Sequence, residues 1–231
     1  MSERVSRRDE LAANLAAVRA RMAAAARAAG RSPDELTLVA ITKTFPAEDV
    51  ALLADLGVAD VGENRAQEAA AKHAAVPAPL RWHFVGTLQR NKAALVASFA
   101  DVVHSVDRAE LVTALDRAAT ARLDVLVQVS LDDSPGRGGA AVADVPALAA
   151  RVAASEHLVL RGLMAVAPLG ADPGPAFDRL AAAAARLRAD HPEATWISAG
   201  MSGDLEAAVA AGATHVRIGT ALLGRREPPF R

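Results

Sequence analysis

The chain has 231 residues, 52% of them hydrophobic, and its 26 lysines and arginines are matched by 27 acidic residues with no one-signed block, a balance that argues against nucleic acid or an anionic membrane surface as partner. It has no cysteine, which excludes disulfides, thiolate nucleophiles and cysteine metal sites. The opening MSERVSRRDE mixes both charge signs without an apolar core, and no later stretch has the length and polarity of a membrane span, so a soluble cytoplasmic protein is expected.

Taken in order, helix and strand signals alternate to the end. Leu11, Leu15, Val18 and Met22 recur at helical spacing, and Gly30, Ser32 and Pro33 close this first helix, which precedes any strand. The stretch LTLVAITKTFP, residues 36–46, is apolar and β-branched up to Lys43. Pro46 then opens a helix with Glu48 and Asp49 in its first turn, Val50 and Leu53 on one face and Gly57 behind it. Residues 60–64 read as a short second strand, with Asn64 and Gln67 as a capping box for an alanine-rich helix that Pro77 and Pro79 end. Residues 82–86 form the third strand, followed by a helix with Leu95, Val96 and Phe99. Residues 101–106 form the fourth, with Asp107 and Glu110 capping the helix of Leu111 and Leu115.

Residues 124–130 read as the fifth strand, leading into SPGRGG, whose glycines suggest a mobile or ligand-shaped loop; the helix behind it carries Leu148 and Val152. Residues 158–166 are the sixth strand, and Phe177, Leu180, Ala184 and Leu187 mark a helix that stops before Pro192. Residues 195–199 are the seventh. Ser202 caps a helix bearing Leu205 and Val209 that Gly212 ends, and residues 215–219 are the eighth strand. The length fits two small domains or one barrel, but eight strands alternating with helices, without a linker-like break, predict a single (β/α)8 barrel domain over residues 1–231 with an extra N-terminal helix, rather than a doubly wound sheet.

Such barrels carry their chemistry at the C-terminal strand ends and commonly bind phosphate after strands seven and eight. Lys43 ends the first strand, where a lysine at the lip of an apolar pocket, partly deprotonated, adds to an aldehyde to form a Schiff base; the alternative is a side chain that merely snorkels into water. After strand seven, Gly200, Met201, Ser202 and Gly203 bring a hydroxyl and backbone amides to a helix start, and after strand eight Gly219 and Thr220 offer close backbone approach and a second hydroxyl. Singly, Ser202 is an ordinary cap and Gly219 an ordinary turn. Together with Lys43 they suit a phosphorylated aldehyde, and pyridoxal 5'-phosphate is the obvious one. Arg217 has the opposite parity to Val216 and Ile218 and is expected in the barrel mouth, where a guanidinium would keep the pyridine nitrogen unprotonated and weaken the ring as an electron sink; the alternative is a pairing with a nearby carboxylate.

These residues resemble the pyridoxal 5'-phosphate homeostasis proteins, which are similar to the N-terminal barrel of alanine racemase without its second domain. The resemblance covers nearly the whole chain and rests on VAITKTFP, GENRAQE, WHFVGTLQRNK, HSVD, RGLM, AGMSGDLEAA and HVRIGTALLG. It implies a Schiff base on Lys43, pyridine contact from Arg217, phosphate contacts from Ser202, Gly219, Thr220 and the backbone around Met201, and Asn64 near the cofactor. Thr42 stands where the family usually has serine, and Ala199 where it usually has methionine, which touches only details of cofactor packing. WHFVGTLQRNK carries recognition without derivable chemistry, and His83 and Lys92 read equally well as structural residues.

Three functions compete on these grounds. One is a carrier that stores, delivers or regulates pyridoxal 5'-phosphate without turnover, with apo forms of enzymes that use the cofactor as partners. The second is a racemase or relative, and the third a cofactor-free Schiff-base aldolase. Racemisation needs acid/base groups on both faces of the substrate adduct, and the tyrosine that alanine racemase uses opposite its lysine has no counterpart in a chain with no tyrosine. His83, His104 and Glu63 lie near strand ends as rival bases, each with an easy reading as a hydrogen-bonded or surface residue. The carrier is the favoured reading, and lack of the racemase's second domain points to a monomer.

Overall fold

A computed structural model describes residues 6–132, 138–168 and 170–224. The first half of the charged opening (residues 1–5) and the core of the SPGRGG loop (134–137) lie outside the described residues. Eight parallel strands close into a barrel in sequence order: β1 (Thr37–Ile41), β2 (Asp60–Glu63), β3 (Arg81–Phe84), β4 (Val102–Val106), β5 (Leu123–Gln128), β6 (Leu158–Met164), β7 (Trp196–Ser198) and β8 (His215–Ile218), with β8 returning to β1. The helices are α1 (Arg7–Ala28), α2 (Ala47–Asp55), α3 (Ala66–Ala75), α4 (Ala93–Ala97), α5 (Ala109–Ala118), α6 (Val145–Ala153), α7 (Gly174–Asp190), α8 (Leu205–Ala210) and α9 (Thr220–Leu223). This is the expected TIM-type architecture with an extra first helix. No helix among the described residues is long and apolar enough to cross a membrane.

Alternation along each strand makes two unlike cores. Outward residues such as Ala40, Val61, Val103, Val125, Val127, Leu163, Val216 and Ile218 pack under the helices in one continuous apolar layer. The barrel interior holds fewer apolar side chains, Val39, Ile41, Val102, Leu126 and Met164 among them, and is otherwise lined with buried polar side chains: His83, His104, Ser198, His215 and Arg217. Gly162 sits where β5 and β6 slip register, and a Cβ there would lie 1.9 Å from the Trp196 carbonyl oxygen, so only glycine lets β6 approach β7.

Three expected helix caps are not made. Helix α3 begins at Ala66 after Arg65, α5 at Ala109 after Arg108, and α8 at Leu205 after Asp204, in each case without a side-chain cap hydrogen bond. Asn64 and Asp107 therefore lie a residue too early to cap, because the chain first leaves the strand end across the barrel mouth. Ser202 sits in the turn after β7, and its Oγ accepts from the Ala221 amide at 3.3 Å, in α9 rather than α8. Apart from β4, which ends at Val106 as expected, the strands also stop one or two residues short of their expected ends. α1, in contrast, is capped by Ser6, whose Oγ accepts from the Asp9 amide, and buries Leu11, Leu15, Val18 and Met22.

Candidate functional site

The segments leaving the C-terminal strand ends enclose a cavity of about 540 Å3, within the roughly 300 to 1,000 Å3 usual for small-molecule sites. Lys43, Asn64, Met201, Ser202, Arg217, Gly219 and Thr220 all line it. Lys43 is half-buried two residues past β1, Asn64 follows β2, Met201 and Ser202 follow β7, and Gly219 and Thr220 follow β8. The cavity thus has an amine on the β1 side, a guanidinium rising from β8, and two hydroxyls with backbone amides on the β7–β8 side. Thr87 and Gln128 add polar groups, and Val85, Met164 and Val166 supply an apolar wall. These five were not singled out from sequence, although each stands at or just past a strand end. Gly86 is needed for close approach, since a Cβ there would lie 2.3 Å from the Asn64 carbonyl oxygen.

Arg217 is buried, and among the described residues it forms no ion pair with a carboxylate. One Nη donates to Ser198 Oγ at 2.6 Å and the other to the Ala165 carbonyl at 2.9 Å, which fixes the plane of the guanidinium. Burial pushes its pKa down to about 10, with Asp204 opposing, so it stays charged at neutral pH.

Behind Arg217 the polar residues of the barrel interior form one line. Ser198 Oγ is 2.9 Å from His104 Nδ1, His104 Nε2 is 2.8 Å from His83 Nδ1, and His83 Nε2 is 2.8 Å from Asp60 Oδ1. One assignment satisfies every contact with neutral imidazoles: Arg217 donates to Ser198, Ser198 to His104, His104 to His83, and His83 to the Asp60 carboxylate. Burial drives the pKa of both histidines down, well down for His104, where neighbouring His83 and Arg217 add to the effect. The row therefore links the cationic floor of the cavity to an anion at the opposite end of the barrel.

A second buried network lies beside β1. Glu63 is fully buried, and its Oε1 accepts from Thr42 Oγ1 and from Lys72 Nζ, each at 2.7 Å. Lys72 Nζ also donates to Glu68 at 2.7 Å and to the Thr42 carbonyl at 2.8 Å. Burial raises the Glu63 pKa against those partners, whereas for Glu68 the hydrogen bonds from Lys72 and the Thr44 amide outweigh burial and lower it. Glu63, His83 and His104, the rival bases, are thus all tied into networks, and none lines the cavity. No group of three or more His, Cys, Asp or Glu among the described residues is placed to hold a metal ion.

Pyridoxal 5'-phosphate fits these residues on two observations. Asn64 Oδ1 is buried at the cavity with no hydrogen-bond partner, which asks for a donor from a bound molecule. The cavity's three polar ends, amine, guanidinium and hydroxyls, match an aldehyde, a ring nitrogen and a phosphate in chemistry.

The chain matches the family described as alanine racemase, N-terminal domain, over residues 11–227. It is 50% identical to a pyridoxal phosphate homeostasis protein of Mycobacterium tuberculosis over 95% of this chain and 94% of that protein. It also resembles the structure of PipY from Synechococcus elongatus with PLP bound, at 34% identity and a TM-score of 0.82, over 93% of this chain and all of that one. Alanine racemase from Corynebacterium glutamicum shares the fold at 16% identity and a TM-score of 0.70, with 96% of this chain covering 62% of the racemase. On the family match and the half-identical relative, the chain belongs to the alanine racemase N-terminal domain family and, within it, to the pyridoxal phosphate homeostasis proteins.

Proposed function

We propose that this barrel binds pyridoxal 5'-phosphate at the cavity over its strand ends, holds it reversibly through Lys43, and serves cofactor homeostasis by storage, delivery or regulation with little or no turnover of its own. The observation that carries this is the convergence of an amine, a carboxylate-free guanidinium and two hydroxyls on one cavity of about 540 Å3. When bound, the cofactor would supply an aldehyde, which condenses with an amine with loss of one water. Lys43 is the amine, Arg217 the donor toward the ring nitrogen, and Ser202, Gly219, Thr220 and the chain around Met201 the phosphate side, with Asn64 closing on the cofactor. Because a guanidinium does not give up its proton at neutral pH, Arg217 leaves the ring nitrogen as an acceptor. In this reading the whole chain works as one cofactor-binding unit, as a monomer in the cytoplasm, and hands cofactor to apo forms of pyridoxal-phosphate enzymes.

The test is borohydride reduction of protein loaded with pyridoxal 5'-phosphate, followed by peptide mass mapping. The label is expected on Lys43. Lys43→Ala should lose the label yet keep measurable affinity, since the phosphate and ring contacts do not depend on the lysine. Label on another lysine, or none, overturns the assignment; a colourless parent protein that takes up no cofactor supports a cofactor-free aldolase instead.

A further inference from the structure

Lys43 stands outside the strand that delivers it. β1 ends at Ile41, and the last main-chain links nearby belong to Thr42, whose amide donates to Gly62 and whose carbonyl accepts from Phe45. On the other side, Thr44 adopts φ +68°, the left-handed region that a β-branched residue normally avoids. Such a conformation persists only where the surroundings over-determine it. Here the surroundings are specific: the Thr44 amide donates to Glu68, Lys72 donates to the Thr42 carbonyl, and Thr42 Oγ1 donates to Glu63. Lys72 uses its three donors on Thr42, Glu63 and Glu68, and so locks both carboxylates in place.

We propose that Glu63, Glu68 and Lys72 form a positioning cluster that fixes the residues on both sides of Lys43 and thereby sets the direction in which its amine enters the cavity. The proposal rests on the reading that Lys43 captures the cofactor's aldehyde. A buried cluster of two carboxylates and one ammonium is a poor device for stability, because apolar residues of the same volume often do as well. A fixed orientation is what it does supply, and amine addition to a carbonyl is sensitive to misplacement on the scale of an ångström.

Glu68 offers the clean test. Its side chain is 24% exposed, and truncating it leaves Lys72 still paired with Glu63 and Thr42. Glu68→Ala removes the acceptor of the Thr44 amide, whereas the amide oxygen of Glu68→Gln retains one. Two probes separate capture from binding: borohydride trapping of pyridoxal 5'-phosphate on Lys43 over short times, and equilibrium affinity for pyridoxine 5'-phosphate, which carries an alcohol where the aldehyde stands. The trapping rate of Glu68→Ala is expected to fall on the order of tenfold to a hundredfold, its pyridoxine 5'-phosphate affinity to stay within about twofold, and Glu68→Gln to recover most of the rate. A parental trapping rate in Glu68→Ala, an equal loss of pyridoxine 5'-phosphate affinity, or a Glu68→Gln as slow as the alanine variant each overturns the positioning role. Parent protein that traps nothing on Lys43 fails the functional reading itself, and the two failures are told apart in the same experiment.

Discussion

At the scale of single residues, the interior histidines carry the most consequence. His83, His104 and His215 are all held below the ordinary value of 6.5 by burial, His215 to about 3. Each is neutral in the folded barrel, while the unfolded chain takes up a proton as pH falls through about 6.5. The stability they contribute is therefore complete above that pH and is lost as pH drops. Each histidine adds a slope of about 1.4 kcal/mol per pH unit once the unfolded form is protonated. His104→Gln keeps one donor and one acceptor in the row but cannot titrate, so its stability should fall less steeply between about pH 6 and 4.5, by roughly that one-proton slope. Urea unfolding across this range checks it, and an unchanged slope would mean that His104 is charged in the fold. The row was partly legible in the sequence, since His83, His104, Ser198 and Arg217 stand opposite in parity to outward-packing neighbours. What was not legible is that the four strands bring them into one line, because strand stagger decides which inward residues meet. The misplaced caps have a similar cause: Asn64 and Gln67 make a good local pattern, but Asn64 is taken by the barrel mouth.

At the scale of elements, the first helix is an addition to the barrel in sequence and a brace in the structure. Arg21 donates to the Ser202 carbonyl at 2.6 Å and pairs with Glu206, Asn14 donates to the Leu222 carbonyl and Arg7 to that of Leu223. These are the segments after β7 and β8, carried by α8 of six residues and α9 of four, too short to hold their shape unaided. α1 thus fixes the turn that carries Ser202, which in the proposed binding mode faces the phosphate. The exposed Arg21–Glu206 pair is worth little, about 0 to 1 kcal/mol, but the charged hydrogen bond to the Ser202 carbonyl adds about 1.5 to 3 kcal/mol at most. Arg21→Ala should accordingly weaken equilibrium binding of pyridoxine 5'-phosphate by about three- to tenfold, with Lys43 still trapped at the parental rate when pyridoxal 5'-phosphate is saturating. Unchanged affinity by titration would reduce α1 to a cover for the barrel. The alternation of elements was readable because each strand is apolar and each helix has its own period. The brace was not, since its contacts span 181 to 216 positions of sequence.

At the scale of the whole molecule, closing the barrel gathers the C-terminal ends of all strands but β4 around one cavity and leaves its chemistry to a short set of side chains. Among the described residues lining it there is no carboxylate and no imidazole; Lys43 brings the one amine, and the others are amides, hydroxyls, apolar groups and an arginine that stays charged. The 231 residues include no tyrosine, and the buried Glu63, His83 and His104 are engaged elsewhere. Turnover of an amino acid requires a base set against its α-proton and a sink for the charge left behind, and two-sided proton exchange requires a second such group. In the proposed binding mode Arg217, as a donor to the ring nitrogen, works against the sink. Reversible capture needs neither. Loaded protein mixed with the common amino acids in deuterium oxide should therefore show α-carbon exchange far below the roughly 1 to 1,000 per second of ordinary enzymes, followed by NMR or mass spectrometry. Release of cofactor to an apo-enzyme should instead quicken when an incoming amine displaces Lys43. Exchange at enzyme-like rates that disappears in Lys43→Ala would make the protein a catalyst and overturn the carrier reading.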